Sequence, residues 1–161
     1  MVQNSEWGPH LWAILHICAE KTGKQTTPLL HMDEIRAWIH LLRLTEAILP
    51  CPLCQKHYRE WLKAYPLPAF LDMKSAATFH DGTREWVWKL HNRVNEQRGA
   101  PTMSLEEAIE LYREKGTRDL HQSLEKLMEV LDRAKLQRQV DGAFVRDWNQ
   151  RLGTFRKFVR V

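Results

Sequence analysis

Residues 49–58 read LPCPLCQKHY and hold two of the chain's three cysteines, Cys51 and Cys54. A Cys-x-x-Cys pair has three chemical uses. It can cycle between dithiol and disulfide, supply half of a zinc site, or sit as two inert buried thiols. This pair falls where a helix should start. With Cys51 as N-cap, Pro52 takes the first helical position, where its missing N–H costs nothing. Cys54 then lies in the first turn, beside unpaired amides and the positive end of the helix dipole, which favour a thiolate. A thiolate is the species that attacks disulfides. Zinc would use Cys51, Cys54 and His57 and would need a fourth ligand from the seven other histidines, with no second closely spaced ligand pair in sight. A thioredoxin-like site would need strands around the pair, and strand signals are nearly absent. A helix-start position speaks against two inert thiols.

Two further clusters have the right types for a binding site. In LWAILH, Trp12 and His16 are four apart; in LHNRVNEQRG, His91 and Asn95 are four apart, with Asn92 and Val94 between them. Residues four apart share a helical face. Histidine and asparagine on a core-facing stripe need buried partners. With a helix-start CxxC, two such faces can wall a pocket for a large polar-aromatic cofactor. Each histidine taken alone reads as a hydrogen-bonded core residue. Seven tryptophans divide in the same way, between flat surfaces for a planar ligand and bulky core side chains.

The elements that must position these residues are helices, because apolar residues recur at helical spacing in most segments. A first helix follows WGPH and ends near Gly23. A second runs from an Asp33 N-cap to Leu49, where Pro50 stops it. The third runs from the CxxC to about Ala64. Ser75 or Thr83 opens a long fourth helix that closes at Gly99 and Pro101. Ser104 and Glu107 stand at capping-box spacing and open a short fifth. Gly116 divides residues 1–116 from a C-terminal amphipathic extension, 117–161. There Leu120, Leu124, Leu127, Leu131 and Ala134 form one stripe, Asp141-Gly142 breaks it, and Phe144, Trp148, Leu152, Phe155 and Val159 resume it. The pattern predicts a helical hairpin that packs on the main domain or on another chain.

Composition is that of a globular protein, with 43% hydrophobic and 27% charged residues. No stretch approaches the roughly 18 apolar residues of a membrane span. The start of the chain lacks the basic residues and apolar run of a signal peptide, so a cytoplasmic location is expected. In that compartment a CxxC is more often catalytic or metal-binding than structural. Residues 1–116 carry 14 Lys/Arg against 14 Asp/Glu, and residues 117–161 carry 10 against 6, so the net charge of +4 belongs to the extension. A solvated helix surface accounts for it better than an acidic partner does, and no nucleic-acid partner is expected.

WGPHLWAILH, then LPCPLC, then WVWKLHNRVNEQRGAP, in this order and at these separations, resembles the Erv/ALR flavin-dependent sulfhydryl oxidases over roughly residues 7–114. The form WGPxxWxxLH is most similar to the virus-encoded branch, which would place the protein in host cytoplasm or virion. The resemblance implies a four-helix bundle with a short fifth helix, noncovalent FAD and a homodimer. It also implies oxidation of protein thiols by molecular oxygen, yielding hydrogen peroxide. By position it implies Gly8, Trp12, His16, His91, Asn92, Val94, Asn95 and Tyr112 at the cofactor. Cys51 would be the interchange cysteine and Cys54 the one beside the flavin, making Cys51–Cys54 the redox disulfide. A runner-up reading is a non-enzymatic Erv-like protein that acts through its extension. Three departures from the family pattern stand out. Trp88 and Leu105 occupy the places of a structural disulfide, where an apolar contact is expected instead. No tail cysteine pair is present to relay electrons; the remaining Cys18 reads as a buried thiol. Lys21 and Ala100 replace an aromatic and a basic residue common at flavin-facing positions.

Overall fold

Each helix begins where a side chain or a backbone geometry takes up the amides of its first turn. A computed structural model describes residues 1–161, in which seven α-helices account for nearly all regular structure and no strand forms. They are α1 (Asn4–Glu20), α2 (Pro28–Thr45), α3 (Pro52–Ala64), α4 (Ala76–Gln97), α5 (Leu105–Tyr112), α6 (Thr117–Leu136) and α7 (Gly142–Val159). Ser75 caps α4 by accepting from the Thr78 amide, which decides between the two expected starts. Ser104 and Glu107 form the expected capping box on α5. Asp141 caps α7.

Three boundaries differ from the sequence reading, the first being the end of α2 at Thr45, after which a 3-10 turn over Glu46–Ile48 carries the chain to Leu49. The second helix begins at Pro28 with Thr27 as its cap, not at Asp33. Pro28 is preorganised for the first helical position, and Asp33 instead pairs with Arg36 at 3.3 Å on the helix surface. The first helix begins at Asn4, so Pro9 lies inside it. Its ring is exposed, and the carbonyl it leaves unpaired belongs to Ser5, which is open to water.

Helix α1 is the central element, packing against α4, α5 and α6, while α2 packs against α7. Residues 117–161 lie on the main body of the chain: Leu120, Leu131, Trp148, Leu152 and Phe155 are fully buried in the same apolar cluster as Ile14, Ile35, Trp38 and Leu42. The Trp148 indole N–H donates to Thr45 Oγ1 at 3.1 Å, and Phe155 meets Trp38 with ring centroids 5.1 Å apart. Gln25 Nε2 donates to Phe158 O at 2.9 Å. Four residues of the expected α7 stripe, Trp148, Leu152, Phe155 and Val159, are buried, and only its first position differs. There Val145 is buried and Phe144 is 46% exposed. Cys18 is fully buried on α1, and burial pushes its thiol up to about 12, so it is inert as expected.

These positions predict opposite outcomes for two aromatics on one helix. Trp148→Ala should lower the unfolding free energy by about 3–5 kcal/mol, since it removes a buried indole and leaves a cavity. Phe144→Ala should change it by less than about 0.5 kcal/mol. Urea unfolding followed by circular dichroism distinguishes the two; equal effects would contradict the placement of α7.

Candidate active site

Cys51 ends an extended segment, with φ −150° and ψ 108°, and its sulfur caps α3 by accepting from the Cys54 amide at 3.1 Å. Pro52 holds the first helical position. One detail differs from the sequence reading. The helix-start amide serves the sulfur of Cys51, not that of Cys54. The two cysteines are joined as a disulfide with Cα atoms 5.2 Å apart. Both are half-buried, while Pro52 and Leu53 between them are exposed. No three His, Cys, Asp or Glu side chains gather into a metal-binding group, His57 included.

The disulfide forms part of the wall of a cavity of about 780 Å³, large enough for a sizeable cofactor. Helix α1 supplies one wall through Asn4, Trp7, Gly8, Leu11, Trp12 and Leu15, a single face at three- and four-residue spacing. Helix α3 supplies Cys54, His57, Tyr58 and Trp61. From α4 come Trp88, Asn92 and Val94, together with Lys89, Arg93 and Gln97 in one row four apart; Arg98 follows just beyond the helix. Three features suit a large planar, acceptor-rich, anionic ligand. The indole N–H groups of Trp7 and Trp61 are buried in the wall without a hydrogen-bond partner. Gly8 is buried, and a Cβ there would meet nothing within 4 Å, so its missing side chain leaves open space. Lys89, Arg93 and Arg98 bring three positive charges, against the two carboxylates of Glu60 and Glu96.

The expected site residues divide into two groups. Gly8, Trp12, Asn92, Val94, Cys51 and Cys54 line the cavity. His16, His91, Asn95 and Tyr112 do not. Behind Trp12 runs a stack of rings: Trp12 lies on His91 at 4.2 Å and 9°, and Tyr112 lies on His16 at 4.3 Å and 2°. A hydrogen bond of 2.9 Å between His16 Nε2 and His91 Nδ1 joins the two stacks. Asn95 is buried, and its carbonyl accepts from the Arg98 and Ala100 amides to close α4. The Asn92 side chain exchanges two hydrogen bonds with the backbone of Met103. Trp88 Nε1 also donates to Met103 O at 2.9 Å, so α4 is tied to the start of α5 by polar bonds. Lys21 donates to Arg113 O at 2.9 Å, at the end of α5.

The cavity residues not anticipated from the sequence include Asn4, Trp7, Leu11, Leu15, Tyr58, Trp61, Lys89, Arg93, Gln97 and Arg98. The α4 row was available as a four-residue spacing of long polar side chains. Trp7 stands inside the WGPH motif. Asn4 had no signal at all, because its neighbour is brought in from 50 residues away.

Burial holds both bridged histidines neutral. It pushes His16 down to about 3, helped by His91, and His91 down to about 4, helped by Arg98. Their hydrogen bond has room for one proton between the two nitrogens, so charging both rings would set two N–H groups against each other. The folded values lie below the unfolded value near 6.5. The unfolded chain therefore takes up protons first as pH falls. Stability is complete above about pH 6.5 and declines toward pH 4, by up to about 1.4 kcal/mol per pH unit for each proton taken up. The buried His16 should contribute more than the partly exposed His91. Urea unfolding across this range should show a shallower decline for the His16→Phe, His91→Phe double variant. An unchanged slope would mean that other groups carry the acid sensitivity.

The profile of the Erv1/Alr family matches residues 9–115. The rice protein named FAD-linked sulfhydryl oxidase ERV1 (Oryza sativa subsp. japonica) is 30% identical over 96 residues, which cover 60% of this chain and 43% of that protein. The chain thus spans less than half the length of that relative. No solved structure matches. The family match takes in the CxxC, Leu11, Trp12 and Leu15 of α1 and Asn92 and Val94 of α4, all in the cavity wall, and the His16 and His91 rings that stand outside it. The chain belongs to the Erv1/Alr family.

Proposed function

We propose that this protein is an FAD-dependent thiol oxidase whose Cys51–Cys54 pair forms disulfides in protein substrates. The observation that carries the reading is the placement of a disulfide in the wall of an aromatic, partly basic cavity of about 780 Å³. The residues fit FAD. Trp7, Trp12 and Trp61 offer flat surfaces, two of them with free N–H donors, and Lys89, Arg93 and Arg98 suit a diphosphate. The name of the rice relative supports the same cofactor and activity.

In this reading a substrate thiolate attacks Cys51 Sγ. The sulfur–sulfur bond breaks, and its electron pair leaves on Cys54 Sγ, giving a mixed disulfide at Cys51 and a thiolate at Cys54. A second substrate thiolate displaces Cys51, which releases the substrate disulfide and leaves the pair reduced. What FAD supplies when bound is two-electron acceptor chemistry for the reduced pair, with dioxygen as terminal acceptor and hydrogen peroxide as product. The exposed Pro52 and Leu53 leave the pair reachable from solvent, which suits direct delivery of thiols in a chain without a tail cysteine pair. Trp12, backed by the His91 ring, forms a rigid floor. His16, His91, Asn95 and Tyr112 then act from behind that floor, and Gly8, Asn92 and Val94 act at the cofactor itself. Homodimer formation, a cytoplasmic or virion location and a viral source rest on the resemblance of the sequence motifs.

The purified chain should be yellow and should take up oxygen with a small dithiol such as dithiothreitol. Cys54→Ser should lose at least a thousandfold in turnover and keep its flavin absorbance, since attack on Cys51 no longer has a leaving sulfur. A folded, colourless protein without oxygen uptake would overturn the proposal. It would favour the alternative of a non-enzymatic Erv-like protein that acts through residues 117–161.

A further inference from the structure

Sulfur chemistry at Cys51–Cys54 requires that the electron pair released by attack on Cys51 be accommodated at Cys54. The helix-start amide does not do this, because it is aimed at Cys51. The one donor within hydrogen-bond distance of Cys54 Sγ is the side-chain amide of Asn4, with Nδ2 at 3.4 Å; the same nitrogen is 4.0 Å from Cys51 Sγ. Asn4 is the first residue of α1, half-buried on the cavity wall.

What fixes Asn4 there comes from the other end of the chain. Gln139, in the turn between α6 and α7, uses both ends of its amide. Its Oε1 accepts from the Val2 amide at 3.0 Å, and its Nε2 donates to Pro50 O at 3.1 Å. One side chain thus ties the residue two before Asn4 to the residue just before Cys51. Gln139 is itself held, since its backbone amide donates to Ala134 O at 2.9 Å after Arg138 takes a left-handed conformation, φ 58°. Arg133 adds a bond of 2.8 Å to Glu6 in the first turn of α1. Both Asn4 and Gln139 lie outside residues 9–115, where the family match ends.

We propose that Asn4 is the hydrogen-bond donor that stabilises the departing Cys54 thiolate, and that Gln139 of the C-terminal pair of helices is the positioning residue that holds Asn4 and Cys51 in register. The step is the one already balanced above: the sulfur–sulfur bond breaks, its electron pair settles on Cys54 Sγ, and the Asn4 N–H shortens toward the new anion. A charge-assisted hydrogen bond is stronger than the neutral one present in the disulfide, so the contact favours the charge-separated state. The inference deepens the thiol-oxidase reading and rests on it for its biological meaning, but its test needs no turnover.

The test uses the full chain, reduced and kept anaerobic, with iodoacetamide alkylation of Cys54 followed against pH by mass spectrometry. In Asn4→Leu the midpoint for Cys54 should rise by about one pH unit, the loss of a charge-assisted hydrogen bond at a partly solvated sulfur. In Asn4→Asp it should rise further, because a carboxylate cannot donate and adds a like charge. That order, Asn below Leu below Asp, is not expected of a merely structural role. Gln139→Leu should shift the midpoint in the same direction by less, and should add nothing to Asn4→Leu, since it acts through Asn4. Equilibration with glutathione at alkaline pH should move several-fold toward the disulfide in Asn4→Leu. An unmoved Cys54 midpoint in a folded Asn4→Leu protein overturns the proposal for Asn4, and additive effects of the two substitutions overturn the role of Gln139. Oxygen uptake by the unaltered chain tests the underlying reading separately: uptake with an unmoved midpoint defeats this inference alone, and a shifted midpoint without uptake defeats the oxidase reading alone.

Discussion

Helix α1 has to be buried on several sides and still offer one open face to a cavity, and the rest of the structure is arranged around that demand. Nine of its seventeen residues are buried, from Trp7 to Ala19. No single partner helix can cover so wide an apolar surface, since a helix contacts its neighbour along one stripe. Helix α4 covers one flank, α6 another, and the short α5 a third. The face that remains, Asn4, Trp7, Gly8, Leu11, Trp12 and Leu15, is where the cavity forms. The C-terminal pair of helices therefore contributes to the site without lining it: α6 packs on α1, and no residue of 117–161 is in the cavity wall.

The polar groups around this core are satisfied with few exceptions, and the exceptions are informative. Thr22, Thr83 and His80 bond to one another and to the end of α1, and Glu20 pairs with Arg84 at 2.8 Å over the same region. Glu34 is fully buried on α2 with one oxygen held by the Gly23 amide, and burial raises it above the usual carboxyl range. Gly23 itself needs its left-handed φ of 77° and its lack of a side chain, because a Cβ would sit 2.6 Å from the Ala76 carbonyl. Those features belong to the end of the molecule far from the cysteines. Five buried side-chain atoms lack a partner: Trp38 Nε1, His31 Nδ1 and Glu34 Oε1 away from the cavity, and the indole N–H groups of Trp7 and Trp61, two residues of its wall. A buried donor without an acceptor is unfavourable in a pure core, and a polar ligand in the cavity would relieve it.

Charge is handled in two ways around the site. The histidines behind Trp12 are stripped of charge by burial and used as stacking and hydrogen-bonding rings. The cations of α4 stay at the open side, where water and a ligand can share them. The sulfur pair sits between these zones, with one sulfur served by the α3 amide and the other by Asn4. This division separates a neutral, rigid floor from a polarisable reacting centre.

The sequence by itself determined the all-α class, the start of α3 at the CxxC, the Ser104 start, the break at Asp141-Gly142, and the motifs that mark the family. All are local: a cap, a proline or a four-residue spacing acts within one or two turns. The same locality explains the errors, where Asp33 looked like a cap as good as Thr27, and Phe144 as apolar as Val145. Helix spacing also could not say which of His16, His91, Asn95 and Tyr112 faces open space, since a histidine packed on a ring and one facing a ligand occupy the same stripe. Tertiary structure decided that His16, His91 and Tyr112 stand behind Trp12, because two planar stacks joined by one hydrogen bond bury their rings against each other. It also decided where residues 117–161 dock, and that Asn4 and Gln139 meet the cysteine segment. Those contacts join residues 50, 137 and 89 positions apart, and no periodicity in a sequence records a partner at such a distance.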